Sequence, residues 1–202
     1  TMGDVSVLLA HVRDWFQATG TALLIVDEMQ FYTQSGKAST KTAQLIMTLA
    51  SPGIPLVYAA NYSLVKKLLE RPHEEKDRLL AHPIVLEPPD ADSAIWRTVV
   101  GEYLAVAPEH FYLEVSAHAH ELHRLTAGLF RILRQLLLEA YRMAVGRSAR
   151  AVTMDDVRQA YRSAAFSSHR KDVEDLASLA VSGLIAQQRA DLVCPFAPVR
   201  GL

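Results

Sequence analysis

The sequence predicts an α/β unit built on a parallel sheet, followed by an all-helical unit. Two short apolar runs, Ala22 to Val26 and Ile54 to Ala60, alternate with helical periodicity in the first part of the chain. Beyond Pro88-Pro89 the apolar residues recur only at helical spacing. Strands alternating with helices indicate a parallel sheet, and unbroken apolar runs indicate strands buried on both faces.

The elements follow in order. Asp4 can cap a helix to about Ala18, with Leu8, Leu9, Val12, Trp15 and Phe16 on one face and Gly20 ending it. The first strand leads directly into Asp27 and Glu28. Phe31 to Gly36 reads as a loop, and Ala38 to Ala50 as a helix broken by Ser51-Pro52-Gly53. The second strand ends at Asn61, and Ser63 can cap a short helix to Glu70. Arg71 to His82 is polar and charged, and Ile84-Val85-Leu86 reads as a third strand. Helices are then expected over about 92–106, 116–126 and 129–145, with a break at Gly128. Thr153 and Asp156 have capping-box spacing for a helix to about Ala165. A last helix is expected over about 172–188, before an extended tail.

The composition is that of a globular protein: half of the 202 residues are hydrophobic and 21% are charged. A net charge of -1 supplies no overall drive toward nucleic acid or anionic membrane, though it leaves room for a local basic patch. The single cysteine, Cys194, excludes an internal disulfide and a cysteine-based metal site, which favours a cytoplasmic protein. No apolar run has the length of a membrane span, so no membrane association is expected. The opening Thr1-Met2-Gly3-Asp4 does not read as a signal peptide, and the chain begins in an amphipathic pattern, as a truncated protein would.

The chemistry-bearing pattern is Leu23-Leu24-Ile25-Val26-Asp27-Glu28. It places two carboxylates at the carboxyl end of a strand, the edge where open α/β sheets bind ligands. One carboxylate can hold magnesium, and the next can deprotonate a water for attack on a γ-phosphate. The bland alternative is a strand ending in a polar turn. Asn61 ends the next strand in the same way, and asparagine is also common in turns.

In order and spacing, these residues resemble the Walker B and sensor 1 positions of an AAA+ ATPase. The resemblance spans about Asp4 to Ala165, and Leu24 to Gln30 with the compact helical lid look most like the TniB/TnsC transposition-regulator group. ExeA-like and origin-recognition-like ATPases are the alternative groups within the same resemblance. The resemblance implies an incomplete AAA+ parallel sheet with flanking helices over 1–89, a helical lid over 90–165, and a C-terminal helix and tail over 166–202. It assigns Asp27 to ATP-bound magnesium, Glu28 as base and Asn61 as sensor 1. Arg78 would be the arginine finger acting in trans, with Arg71 the second choice, and Arg131 of Gly128-Leu129-Phe130-Arg131 would be sensor 2. Any one of these arginines could equally be a solvated surface residue.

One part of the family pattern is missing. The Walker A loop, G-x-x-x-x-G-K-[S/T], has no counterpart before Asp27, so strong ATP binding by this chain alone is not expected. Gly36-Lys37-Ala38-Ser39 fails the pattern, with Phe31 in place of the first glycine and Ala38 in place of Ser/Thr. By resemblance, Lys37 and Lys41 could instead face DNA phosphates. The missing strand would lie between the sensor 1 strand and the third strand. That implies a truncated piece, or a rearranged sheet patched by another chain.

The implied protein is an ATP-dependent regulator that oligomerises on DNA and recruits transposase, with the C-terminal tail as one docking element. The tail stripe Val173, Leu176, Ala177, Ala180 and Leu184 could alternatively pack on its own lid. A non-hydrolysing scaffold for protein and DNA contacts is the competing reading. His118, His120 and His123 do not share one helix face and read as solvated.

Overall fold

The computed structural model describes residues 2–33, 38–50, 53–182, 191–192 and 194–196. The chain divides into two compact units, Thr1–Val85 with Ala186–Leu202, and Leu86–Ile185. Among the described residues, no helix is long and apolar enough to cross a membrane.

The first unit contains α1 (Met2–Ala18), β1 (Leu24–Val26), a 3₁₀ turn (Met29–Thr33), α2 (Ala38–Ala50), β2 (Leu56–Tyr58), α3 (Tyr62–Leu69) and α4 (His73–Leu79). β1 and β2 pair in parallel, with Leu24 opposite Leu56, Ile25 opposite Val57 and Val26 opposite Tyr58. Side chains alternate across a strand, so Val26, Leu56 and Tyr58 turn to the face that packs on the core. Ala43 and Ile46 of α2 and Leu64 and Leu68 of α3 recur three or four residues apart and are buried there with Met29 and Leu79. Each fully buried leucine stabilises the unit by about 1.5–3 kcal/mol. The Tyr58 hydroxyl donates to the Leu79 carbonyl and ties the strand to α4, and burial raises its pKa.

Two expectations are corrected in this part of the chain. The strands are three residues long and covered on one face only: Ile25 is 65% exposed and Val57 46%. Ile84-Val85-Leu86 belongs to no sheet, with Ile84 83% and Leu86 86% exposed. An extended segment becomes a strand only when a neighbour completes its hydrogen bonds, and Pro83, Pro88 and Pro89 remove donors around it. The charged stretch after Arg71, to which the sequence assigned no element, includes α4, with Glu74 and Glu75 in its first turn. Three boundaries also move: α1 begins before Asp4, a 3₁₀ turn occupies the start of the expected loop, and α3 begins at Tyr62 with Asn61 rather than Ser63 as its cap.

The second unit is helical: α5 (Ala94–Ala105), α6 (Val115–Thr126), α7 (Phe130–Gly146), α8 (Met154–Arg162) and α9 (Ser167–Ser182). The Ser93 hydroxyl caps α5 by accepting from the Trp96 N–H at 3.1 Å. Ile132, Leu133, Leu136, Leu137, Ala140 and Ala144 form the buried stripe of α7. Against it pack Trp96 and Val100 of α5, Leu122 of α6, Val157 of α8 and Val173 of α9. The Trp96 indole N–H is buried but satisfied, donating to the Ala119 carbonyl at 2.7 Å. Both arms of the Thr153–Asp156 capping box form, and Arg147 pairs with the same buried Asp156 carboxylate. α9 begins at Ser167 rather than 172, and it packs on α6 and α8. Of the tail stripe, Val173 is buried and Leu176 half-buried, while Ala177 is exposed. The side chains of Ala180 and Leu184 lie outside the description.

Candidate functional site

The carboxyl ends of β1 and β2 are held together by backbone bonds that continue past the strands. Ala59 N–H donates to Val26 O at 2.8 Å, and Met29 N–H donates to Ala59 O at 3.1 Å. Buried Met29 anchors the turn from below. Asp27 and Glu28 are thereby fixed at the sheet edge and remain exposed.

Glu28 adopts a left-handed backbone, φ 56°. For a non-glycine residue this conformation costs about 1–3 kcal/mol and persists only where the surroundings impose it. Here the Asp27 carboxylate supports it, with Oδ1 accepting the Glu28 N–H at 2.7 Å. Gln30 then joins the two strand ends. Its amide N–H donates to the Glu28 carboxylate, and its Oε1 accepts the Asn61 N–H at 3.3 Å. Asn61 is the N-cap of α3, and its Oδ1 accepts from Ser63 N at 3.1 Å and from Ser63 Oγ at 2.5 Å.

Asp27, Glu28 and Asn61 therefore meet at one edge, through Gln30. Asparagine is a preferred cap because its short carboxamide reaches the orphan amides of a helix start. The cap uses the oxygen of that carboxamide and leaves Nδ2 pointing away from the bond it makes. Sequence reasoning did not assign Gln30 a role, since its bridge depends on the 3₁₀ turn that brings it back over Glu28.

The remaining candidates are placed as follows. Arg78 lies exposed in the last turn of α4. Arg71 is committed within the chain: Nε and one terminal nitrogen grip Glu75 at 2.8 and 3.1 Å, and Nη1 donates to Thr40 Oγ1 at 2.9 Å. The hydrogen bond to Glu75 raises the Arg71 pKa, and the same bond lowers that of Glu75. Lys41 is exposed on α2, and Lys37 lies outside the described residues. Arg131, in the other unit, is exposed in the first turn of α7. Its neighbour Gly128 has a conformational reason to be glycine: φ is 69°, and a Cβ there would stand 2.7 Å from His123 Nε2.

The histidines of α6 are corrected at one position. His123 is not a solvated residue. It is half-buried, its Nε2–H donates to Pro89 O at 2.8 Å, and its ring meets Trp96 edge-on at 5.1 Å.

The donor chemistry suits one half of a magnesium–nucleotide site. Exposed carboxylate oxygens at a strand end match the hard oxygen preference of magnesium, which keeps several waters and uses one or two carboxylates. The nucleotide phosphates fit less well, because the sequence contains no glycine-rich cradle of the Walker A form. No protein-family model matches the chain, and no curated protein matches it.

Proposed function

We propose that the chain is the water-activating and lid portion of an ATP-dependent DNA-transposition regulator of the AAA+ type, with the phosphate cradle supplied by polypeptide outside these 202 residues. The observation that supports this reading is the meeting of Asp27, Glu28 and Asn61 at the carboxyl edge of two parallel strands. Magnesium, when bound, would neutralise phosphate charge. Asp27 would hold it through water. Glu28 would take a proton from the attacking water, and Gln30 would fix the Glu28 carboxylate in orientation. Asn61, steadied by its cap to Ser63, would direct Nδ2 at that water. In this reading Arg78 acts on the nucleotide of a neighbouring copy, and Arg131 contacts phosphate from the lid. Lys37 and Lys41 face DNA, and assembly on DNA recruits transposase.

A second reading has a specific observation behind it. The Glu28 carboxylate is already bonded to Gln30, an arrangement that also suits a non-hydrolysing scaffold. Calorimetric titration with magnesium-ATP separates the two. The chain should bind weakly or not at all, and a form extended upstream by about 120 residues, one domain's allowance, should bind. In the extended form Glu28→Gln should retain binding and lose hydrolysis by at least about a hundredfold. Absence of binding by the extended form would favour the scaffold.

A further inference from the structure

A cavity of about 250 Å³ opens beside the C-terminal end of α7 in the helical unit. Tyr141, Val145, Ala149 and Ala151 contribute its accessible apolar surface, and buried Ala144 and Val152 back the wall behind them. The turn after α7 closes one side, with Ser148 in a left-handed backbone at φ 55°. The adjoining backbone is pinned by a bridge between Phe111 and Val152, where Val152 N–H donates to His110 O and Tyr112 N–H donates to Val152 O, each at 2.8 Å.

The polar groups of this cavity are one-sided. Arg150, His110, the Tyr141 hydroxyl and the Ser148 hydroxyl all line it, and no carboxylate does. Among the described residues, the Arg150 guanidinium pairs with no acid, although most other arginines of this unit have a carboxylate partner. Among the described residues, neither the Tyr141 nor the Ser148 hydroxyl bonds to protein, and the backbone N–H groups of Arg150 and Ala151 meet no acceptor. The exception is His110, whose Nε2 lies 3.5 Å from Glu109 Oε1 outside the lining. His110 also packs on Tyr141, ring centres 5.3 Å apart. Solvent-facing donors beside an apolar wall, with one cation that has no acid partner, suit a carboxylate joined to a small apolar body.

We infer that this cavity binds such a carboxylate, with Arg150 as the charge partner and Tyr141 and Val145 receiving the aliphatic part. The volume suits a ligand the size of one amino-acid residue. Either a free small organic acid or the C-terminal residue of a peptide presents this chemistry. The site is independent of the carboxylate edge of the other unit, and its test does not involve nucleotide.

The test is an NMR titration of the full chain, reading the methyl signals of Ala144, Ala149 and Ala151. The probes are N-acetyl-leucine, its primary amide N-acetyl-leucinamide, and 4-methylpentanoate. Saturable shifts with N-acetyl-leucine, about tenfold weaker with the amide, are expected. Arg150→Gln should weaken N-acetyl-leucine binding by a similar factor while the core methyl spectrum stays native. Ala149→Phe, which fills the cavity from its exposed rim, should abolish the shifts. Tighter binding of N-acetyl-leucine than of 4-methylpentanoate would identify a chain end as the ligand, and the reverse a free acid. No saturable shift with either acid would overturn the inference. So would an amide that binds as well as its acid, or shifts unchanged in both variants.

Discussion

Among the described glycines of the helical unit, Gly128 has the least room for a side chain. α6 ends with Ala127 left-handed at φ 51°, and Gly128 follows at φ 69°. A Cβ at Gly128 would lie 2.7 Å from His123 Nε2 and 3.1 Å from Pro89 O, the two atoms already joined by the His123 hydrogen bond. Gly128→Ala should therefore cost about 2–3 kcal/mol, from strain plus the displaced bond, measured as a shift in the urea midpoint. A second residue-scale expectation concerns acid. Arg158 grips Glu121 through Nε and a terminal nitrogen at 2.9 and 2.8 Å, and this hydrogen bond holds the Glu121 carboxyl below its ordinary range. A depressed carboxylate contributes stability that is full above the unfolded pKa and is lost as pH falls through the folded value. Stability should accordingly fall as pH drops below about 4.3, the ordinary glutamate value, and Glu121→Gln should flatten that fall. A pH series of denaturation midpoints for both proteins checks the sign. The Asp27–Glu28 pair was legible because its carboxylates follow an apolar run directly. The Gln30 bridge was not, because nothing in its spacing announces a 3₁₀ turn.

Helices and strands differed in how well the sequence disclosed them. The helix Ala38–Ala50 and the stripe of α7 could be read directly, since a helix satisfies its own backbone and shows its buried face as a period. The run Ile84-Val85-Leu86 has strand composition but no strand, because pairing depends on a neighbour elsewhere in space. The same dependence shortened β1 and β2. It also produces a contrast within one register pair and its surroundings. Val57, opposite Ile25 on the outward face, should tolerate threonine with a change within about 0.5 kcal/mol. Leu64, fully buried beneath the same sheet, should lose about 2–5 kcal/mol on truncation to alanine. Denaturant unfolding of the two variants side by side measures the difference. Equal losses would mean that the outward face is covered in solution.

At the scale of the whole molecule, the two hydrophobic cores share no residue: one gathers around Met29 and Leu64, the other around Trp96 and Leu133. A unit with its own hydrophobic core can in principle fold alone. Scanning calorimetry should resolve two transitions, and Leu133→Ala should lower one of them and leave the other in place. A single transition lowered as a whole would show that the units are thermodynamically coupled. The change of character after the Pro88-Pro89 pair was visible in the sequence as the end of strand-like runs. The contact division falls a few residues earlier, between Val85 and Leu86, where no compositional break marks it.

The placement of the two tryptophans has an optical consequence. Trp15, 61% exposed, belongs to the first unit, and Trp96, fully buried with its indole bonded to Ala119, belongs to the second. Indole emission shifts to the blue in an apolar, water-excluded setting and to the red in water. Each unit thus contains its own fluorophore at its own wavelength, without any label. Melting of the helical unit would redden the blue component and remove the imidazole edge from the Trp96 ring, while the red component would follow the α/β unit alone.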